Sequence, residues 1–268
     1  QHILVFASLE RIGKGLRAAP RDAIIADSMP KRRGGAFGIH RAMDTSGGIM
    51  GSILVFLLFW FLDFDLRKII FIAGIIGLFS LLPLHFVKEK PKQPRDIKLN
   101  IGLKGLSGSL KLFILVSVVF SLANFSYMFF ILKAKDCFQG KLSVGAPILL
   151  YVLFNIFYAL FAIPFGNLSD RLGRKKVLLL GYFLFSLTCL GFALTNSLKA
   201  FLFLFPLYGL VYAVIDGNQR AFVSDLAQDK LRATSLGTFH TAIAWATLPA
   251  SLIAGLLWRV NPSATFLY

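Results

Sequence analysis

Long apolar runs separated by short polar stretches dominate the chain. Ile69–Val87, Leu112–Leu132, Leu142–Asn167, Val177–Leu198 and Ala233–Trp258 contain no Asp, Glu, Lys or Arg. A helix needs about 20 predominantly apolar residues to cross a hydrocarbon core about 30 Å thick, so each run predicts a membrane-spanning helix. Ala36–Leu62 and Ala200–Ala227 meet the same demand with charges only near their ends. The opening stretch, Ile3–Met29, is the least apolar of the predicted spans, because it holds Glu10, Arg11, Lys14, Arg17, Arg21 and Asp22. The pattern predicts an all-α polytopic membrane protein.

Composition agrees with it. Hydrophobic residues make up 56% of the 268-residue chain, mean hydropathy is +0.71 and Phe occurs 28 times, so water is not the solvent of most of this surface. A net charge of +16 in a soluble protein would point first to nucleic acid. Its placement points elsewhere. Most of the 29 Lys and Arg fall in four alternate interhelical segments, Arg11–Arg41, Lys88–Lys111, Arg171–Lys176 and Arg220–Arg232. The intervening segments hold only Arg67 and Lys68, then Lys133, Lys135 and Lys141, then Lys199, then Arg259. This asymmetry assigns the basic segments to the cytoplasmic side of the cytoplasmic membrane, with lipid and not nucleic acid as the surrounding partner. Cys137 and Cys189 have no metal-ligand spacing around them and are not expected to form a disulfide; no metal or cofactor is expected.

The one long polar interruption, 88–111, carries prolines, glycines and basic residues, and predicts a cytoplasmic linker between two helical units. A short internal repeat flanks it. RDAIIADSMPKRRGGAFGIHRA, from Arg21, aligns with QRAFVSDLAQDKLRATSLGTFHTA, from Gln219. Asp27 falls on Asp225, Arg33 on Arg232 and Gly38 on Gly237, each copy leading into a long apolar helix.

The most specific local motif is Gly166–Lys176, GNLSDRLGRKK. Gly166 and Gly173 permit close approach and unusual backbone angles, and Asp170 can accept from a neighbouring helix N-terminus and pair with Arg171 or Arg174. The stretch resembles the loop signature of the major facilitator superfamily, G-x-L-x-D-R-x-G-R-K, at Gly166, Leu168, Asp170, Arg171, Gly173, Arg174 and Lys175. Arg11 and Gly15 resemble its R-x-x-x-G signature. TSGGIMGS, from Thr45, is similar to its G-x-x-x-G-P antiporter signature at Gly47 and Gly51, with Ser52 where proline is expected. KGLRAAPRDAIIADS and RAFVSDLAQDKLRATSLG are similar to a prokaryotic subgroup often called efflux permeases. The resemblance implies a fold of two six-helix bundles and sets the register: the motif joins helices 8 and 9 of twelve, and the chain runs from helix 4 to the start of helix 12. Residues 1–87 are then the end of the N-terminal bundle, helices 4–6; 88–111 is the cytoplasmic linker; and 112–268 is the C-terminal bundle.

The resemblance also implies that helices 4, 7 and 10 line a central cavity, which makes their polar residues candidates for solute contact. Charges and amides facing lipid are costly, whereas those facing a watery cavity are not. Helix 10 offers Tyr208, Tyr212 and Asp216 on one face, where a cation or proton could bind, or where Asp216 could simply pair with Arg220 one turn on. Helix 7 offers Asn124 and Tyr127, with Asn124 equally able to join helices. Helix 4 offers Glu10 and Arg11, and a basic strip running to Arg17 and Arg21. That strip could attract an anion or enter an ion-pair network with Glu10, Asp22 and Asp44. His40 and His240 fit hydrogen bonding or packing better than proton relay. Gly166, Asp170, Arg171, Gly173 and Arg174 are candidates for a gating loop.

No nucleophile with a base, metal set or phosphate loop is present, so an enzyme is not expected and ATP is not the expected energy source. The expectation is a monomeric secondary transporter of a small solute, working by alternating access and driven by protons. Efflux of a lipophilic or cationic compound leads, organic-anion uptake or exchange follows, and a lipid-moving or sensing protein of the same fold remains a third reading.

Overall fold

The structure, a computed structural model, describes residues 2–79, 82, 86 and 105–268; for 2–12, 14 and 16 only the backbone is described. The regular structure of the described residues is all helical: α1 (His2–Ser28), α2 (Arg33–Trp60), α3 (Leu66–Phe79), α4 (Gly108–Ala123), α5 (Met128–Lys135), α6 (Leu142–Leu172), α7 (Arg174–Leu194), α8 (Leu198–Leu226), α9 (Arg232–Val260) and α10 (Pro262–Leu267). A 3₁₀ turn, Asp229–Leu231, leads into α9. Six membrane-long apolar segments are present among the described residues, one of them made of α4 and α5 together. α1 is long enough but too charged to count among them, and α3 is shorter than a full span. Beyond Phe79 most of the predicted Ile69–Val87 run lies outside the described residues, as does the linker 88–111 up to residue 104. The end of that predicted linker is already helix, because Ser107 Oγ accepts from the Leu110 N–H at 3.3 Å and starts α4 at Gly108.

One expectation fails locally. Leu112–Leu132 is not a single helix: α4 stops at Ala123, Asn124 leaves helical geometry at φ −88° and ψ 71°, and α5 resumes at Met128. No Gly or Pro marks the break. Ser126 Oγ instead accepts from the Met128 N–H at 3.3 Å, the kind of local side-chain bond that competes with the helical ladder.

Packing fixes which helix faces lipid. Leu179, Phe183, Leu187, Leu190 and Leu194 make an exposed stripe on α7, and Trp245, Leu248, Leu252 and Leu256 make another on α9. Stripes at three- and four-residue spacing this large and apolar face acyl chains, not water. On the inside, Phe130, Phe192, Phe201, Phe205, Tyr208 and Phe266 are sealed together between α5, α7, α8 and α10. α6 lies between α2 and α8 and packs most extensively on both; α7 flanks α8, while α4 and α1 lie along α9. The α6–α8 crossing runs through Gly209, where a Cβ would stand 2.3 Å from the Phe154 carbonyl oxygen.

Candidate functional site

Polar chemistry is concentrated at two depths, one at the basic face and one within the helices. At the basic face, Gly173 turns the chain between α6 and α7 at φ +95°, a left-handed angle that a side chain would strain. Gly166 and Gly34 put the backbones of α6 and α2 in contact: a Cβ on either would lie 2.3 Å from the other's carbonyl oxygen. That contact delivers the start of α2 to Asp170. Its Oδ1 accepts the Gly34 N–H at 3.0 Å and its Oδ2 the Gly35 N–H at 2.8 Å. Asp170 thus caps α2 from another helix, matching two N–H groups that lack an intrahelical partner and meeting the positive end of the dipole. Arg174, one turn on, donates from Nη2 to Asp170 at 2.5 Å and from Nε to Asp225 at 2.8 Å. Arg171 is exposed and makes neither pair, so the sequence alternative resolves to Arg174.

The internal repeat acquires a physical meaning here. Asp27 and Asp225 align, as do Arg33 and Arg232, and the structure pairs them crosswise: Arg33 with Asp225 at 2.9 Å, and Arg232 with Asp27. One pair ties α2 to α8 and the other ties α9 to α1. Arg33 also donates to the Ser224 carbonyl at 3.1 Å, and Arg32 to Asn167 Oδ1 at 3.0 Å.

About 13 Å further along α8, at 1.5 Å per residue, a second ion cluster crosses the same helices. Asp216 accepts from the Tyr158 hydroxyl of α6 at 2.5 Å and from Arg220 Nη2 at 2.8 Å, and lies 2.8 Å from Arg41 Nε of α2. Arg41 also pairs with Asp44 at 3.1 Å. On its other side Arg220 faces Asp22 at 3.6 Å. Asp22 has no solvent exposure, and it contacts Arg21 at 2.9 Å and His240 Nε2 of α9 at 2.9 Å. Buried carboxylates survive as charges only with such partners. Beside this cluster lies a cavity of about 160 Å³, lined by Asn124, Tyr212, Asp216, Gln219, Arg220 and His240 with Phe120 and Phe239 among the apolar walls. Two buried atoms of its lining residues, Arg220 Nη1 and Asn124 Oδ1, have no hydrogen-bond partner among the described residues.

The sequence candidates therefore separate. Asn124, Tyr212 and Asp216 meet at this cavity. Tyr208 does not: it is 1% exposed, stacks on Phe130 at 4.2 Å and belongs to the aromatic core. Tyr127 lines a different, larger cavity of about 1110 Å³ whose walls are almost wholly apolar, including Gly47, Gly51, Ile69 and Ile76. The side chains of Glu10 and Arg11 lie outside the described residues. Asp216 does pair with Arg220, but Arg41 and Tyr158 hold it as well, and sequence reasoning missed both. A signal for Arg41 existed: Arg33, Phe37, Arg41 and Asp44 recur at helical spacing on one face of α2. Asp22 pairs with Arg21 as the ion-pair alternative expected, Asp44 pairs instead with Arg41 of α2, and His240 hydrogen-bonds to Asp22.

Long lipid-facing helices, a capped inter-helix loop and a polar cavity where three helices converge define a polytopic membrane protein of transporter type. A family model described as Major Facilitator Superfamily matches residues 2–135 and 139–268. The chain belongs to that family, whose members are transporters, not enzymes. It is 52% identical over 269 residues to the "Uncharacterized MFS-type transporter MJ1317" of Methanocaldococcus jannaschii, covering 99% of this chain and 68% of that protein. It is 25% identical over 280 residues to the "Uncharacterized MFS-type transporter YhjO" of Bacillus subtilis, covering 98% and 62%. A shorter match, 38% identical over 81 residues, joins it to "Multidrug resistance protein 2" of Bacillus subtilis and covers 30% of this chain and 20% of that protein.

Proposed function

We propose that the protein is a proton-driven secondary transporter in which residues 1–87 and 112–268 belong to two bundles that rock about the polar cavity, with the basic face cytoplasmic and held shut by the Asp170, Asp225 and Asp27 contacts. Gly166, Asp170, Gly173 and Arg174 act in this reading as the gating loop, and Asn124, Tyr212 and Arg220 meet the solute. A solute bearing an anionic group fits this cavity better than a cation. The observation that carries this is the unequal saturation of the charges: both Asp216 oxygens accept hydrogen bonds, from Arg220 and Tyr158, with Arg41 2.8 Å away, whereas among the described residues Arg220 Nη1 and Arg41 Nε are buried without a hydrogen-bond partner. An uncommitted guanidinium donor favours an acceptor such as a carboxylate.

Export of a lipophilic solute is the second reading. It is favoured by the 1110 Å³ apolar cavity at Tyr127 and by the short likeness to a protein named for multidrug resistance. Flux into proteoliposomes carrying the full-length protein separates the two, with benzoate as anionic probe and tetraphenylphosphonium as lipophilic cation under an imposed proton gradient. The anion reading expects benzoate to accumulate, and Asp170→Asn to slow its flux about tenfold while binding stays within about twofold, as loss of about 1.4 kcal/mol from a gate contact implies. Movement of tetraphenylphosphonium alone would favour export.

A further inference from the structure

α6 lies along α2 in the opposite direction: Gly34 meets Gly166, Gly38 meets Ala162 and Trp60 meets Gly145. The charges at the two ends of α6 are placed against its own dipole. Lys141, at its N-cap, sits where a helix favours an anion, and Asp170, in its last turn, sits where a helix favours a cation. Neither charge helps the helix that carries it, and each suits α2. Asp170 accepts the Gly34 and Gly35 N–H groups at the positive end of α2. At the negative end Lys141 Nζ donates to the Trp60 carbonyl at 3.1 Å. More groups converge on this ammonium: Asp63 Oδ1 lies at 2.6 Å, and the ring centres of Phe59 and Trp60 lie at 5.8 and 5.2 Å. Trp60 stacks on Phe56, and a Cβ on Gly145 would stand 3.0 Å from its ring, so glycine there lets the ring reach α6. Asp63 is the one non-glycine residue with a left-handed backbone among the described residues, at φ +49°. Glycine is the usual choice just past a helix end; an aspartate in its place supplies a carboxylate to Lys141.

We propose that Lys141 is a salt-released latch, holding the outer ends of α2 and α6 together as Asp170 holds their basic ends. This rests on the reading of two rocking bundles above. The two ends differ in their access to ions. Asp170 and Arg174 are 8% and 11% exposed, whereas Lys141 and Asp63 are 42% and 80% exposed. Dissolved ions screen an exposed pair and hardly reach a sealed one. The face away from the basic one therefore parts at lower cost, and parts more readily in a concentrated salt medium than in a dilute one. Losing the latch changes which end opens, with little effect on whether the chain folds, because an exposed pair contributes little to stability.

Spin labels at the exposed positions Arg67 and Gln139 follow the outer turns of the full-length protein in nanodiscs, and labels at Lys31 and Lys230 follow the basic face. Pulsed dipolar measurement compares about 0.01 M salt, where the screening length is about 30 Å, with about 1 M, where it is about 3 Å. The wild-type outer pair should give a short distance in dilute salt and gain a population longer by about 5–10 Å in concentrated salt, while the basic-face pair stays short. Lys141→Ala should show the longer population already in dilute salt, with little further change when salt is added. A wild-type outer distance that salt leaves unchanged overturns the proposal, and this arm needs no variant. A Lys141→Ala distribution that matches the wild type in dilute salt also overturns it. So does lengthening of both pairs together, because the two helices would then part along their whole length. If Asp27→Asn with Asp225→Asn lengthens the basic-face distance while the outer pair never moves, the rocking reading stands without the latch. If neither pair moves under any of these changes, both fall.

Discussion

The basic face and the cavity cluster are built from the same residue types on overlapping helices, and they differ in how completely their charges are matched and how near they are to water. At the basic face each carboxylate has an arginine from another helix or one turn along its own, Asp225 and Asp27 remain 32% and 41% exposed, and the backbone contact of Gly34 with Gly166 sets the spacing. When the Asp225 and Asp27 pairs part, water reaches both carboxylates, so these pairs are broken at less cost than one sealed from solvent. In the cavity cluster Asp22 is sealed from solvent and, among the described residues, Arg220 Nη1 has no partner. Asp22 cannot fall back on water, unlike Asp216 at 25% and Asp44 at 56% exposure, and an unmatched buried group is a demand for a partner. Placement, not residue type, separates a contact suited to opening and closing from one suited to holding a solute.

Removing the sealed carboxylate should have the largest effect. Asp22→Asn leaves Arg21, Arg220 and His240 without the charge they share, and should cost about 3–5 kcal/mol, read as a loss of thermal stability of the purified full-length protein. Gly34→Val comes next. Its Cβ would fall 2.3 Å from the Gly166 carbonyl, forcing α2 off α6 at a cost of about 1–3 kcal/mol. The same assay should show this loss whatever the pH, because it is steric. The smallest effect belongs to Lys141, which reaches from α6 to Asp63 at 2.6 Å beyond the end of α2 but is 42% exposed, against a partner 80% exposed. Lys141→Ala should change stability by less than about 1 kcal/mol, and less still in high salt. If it costs as much as Asp22→Asn, exposure does not rank these contacts.

The long helices were legible because bilayer thickness translates directly into uncharged run length, and the turn between α6 and α7 because Gly166, Asp170, Gly173 and Arg174 each serve a local geometric need. The repeat also exposed the Asp27, Arg33, Asp225 and Arg232 set, although alignment pairs like with like and could not reveal that the contacts cross. What stayed hidden depends on neighbours distant in sequence. Nothing in Tyr208 distinguishes a wall of a cavity from a ring stacked on Phe130. The break at Asn124 carries no Gly or Pro, and Arg41 reads as one more positive charge near a helix start until α8 brings Asp216 to it.

The account turns on the crossed pairs holding the basic face shut, and one distance reports on that most directly. Spin labels at the exposed positions Lys31 and Lys230 follow the turns before α2 and before α9, which the Arg33–Asp225 and Arg232–Asp27 pairs draw together. Pulsed dipolar measurement on the full-length protein in nanodiscs should give a short, narrow distance distribution, and Asp27→Asn with Asp225→Asn should add a population longer by about 5–10 Å, as expected for rocking of two bundles. An unchanged distribution in the double variant, together with unchanged flux, would contradict the claim that these pairs close the transporter.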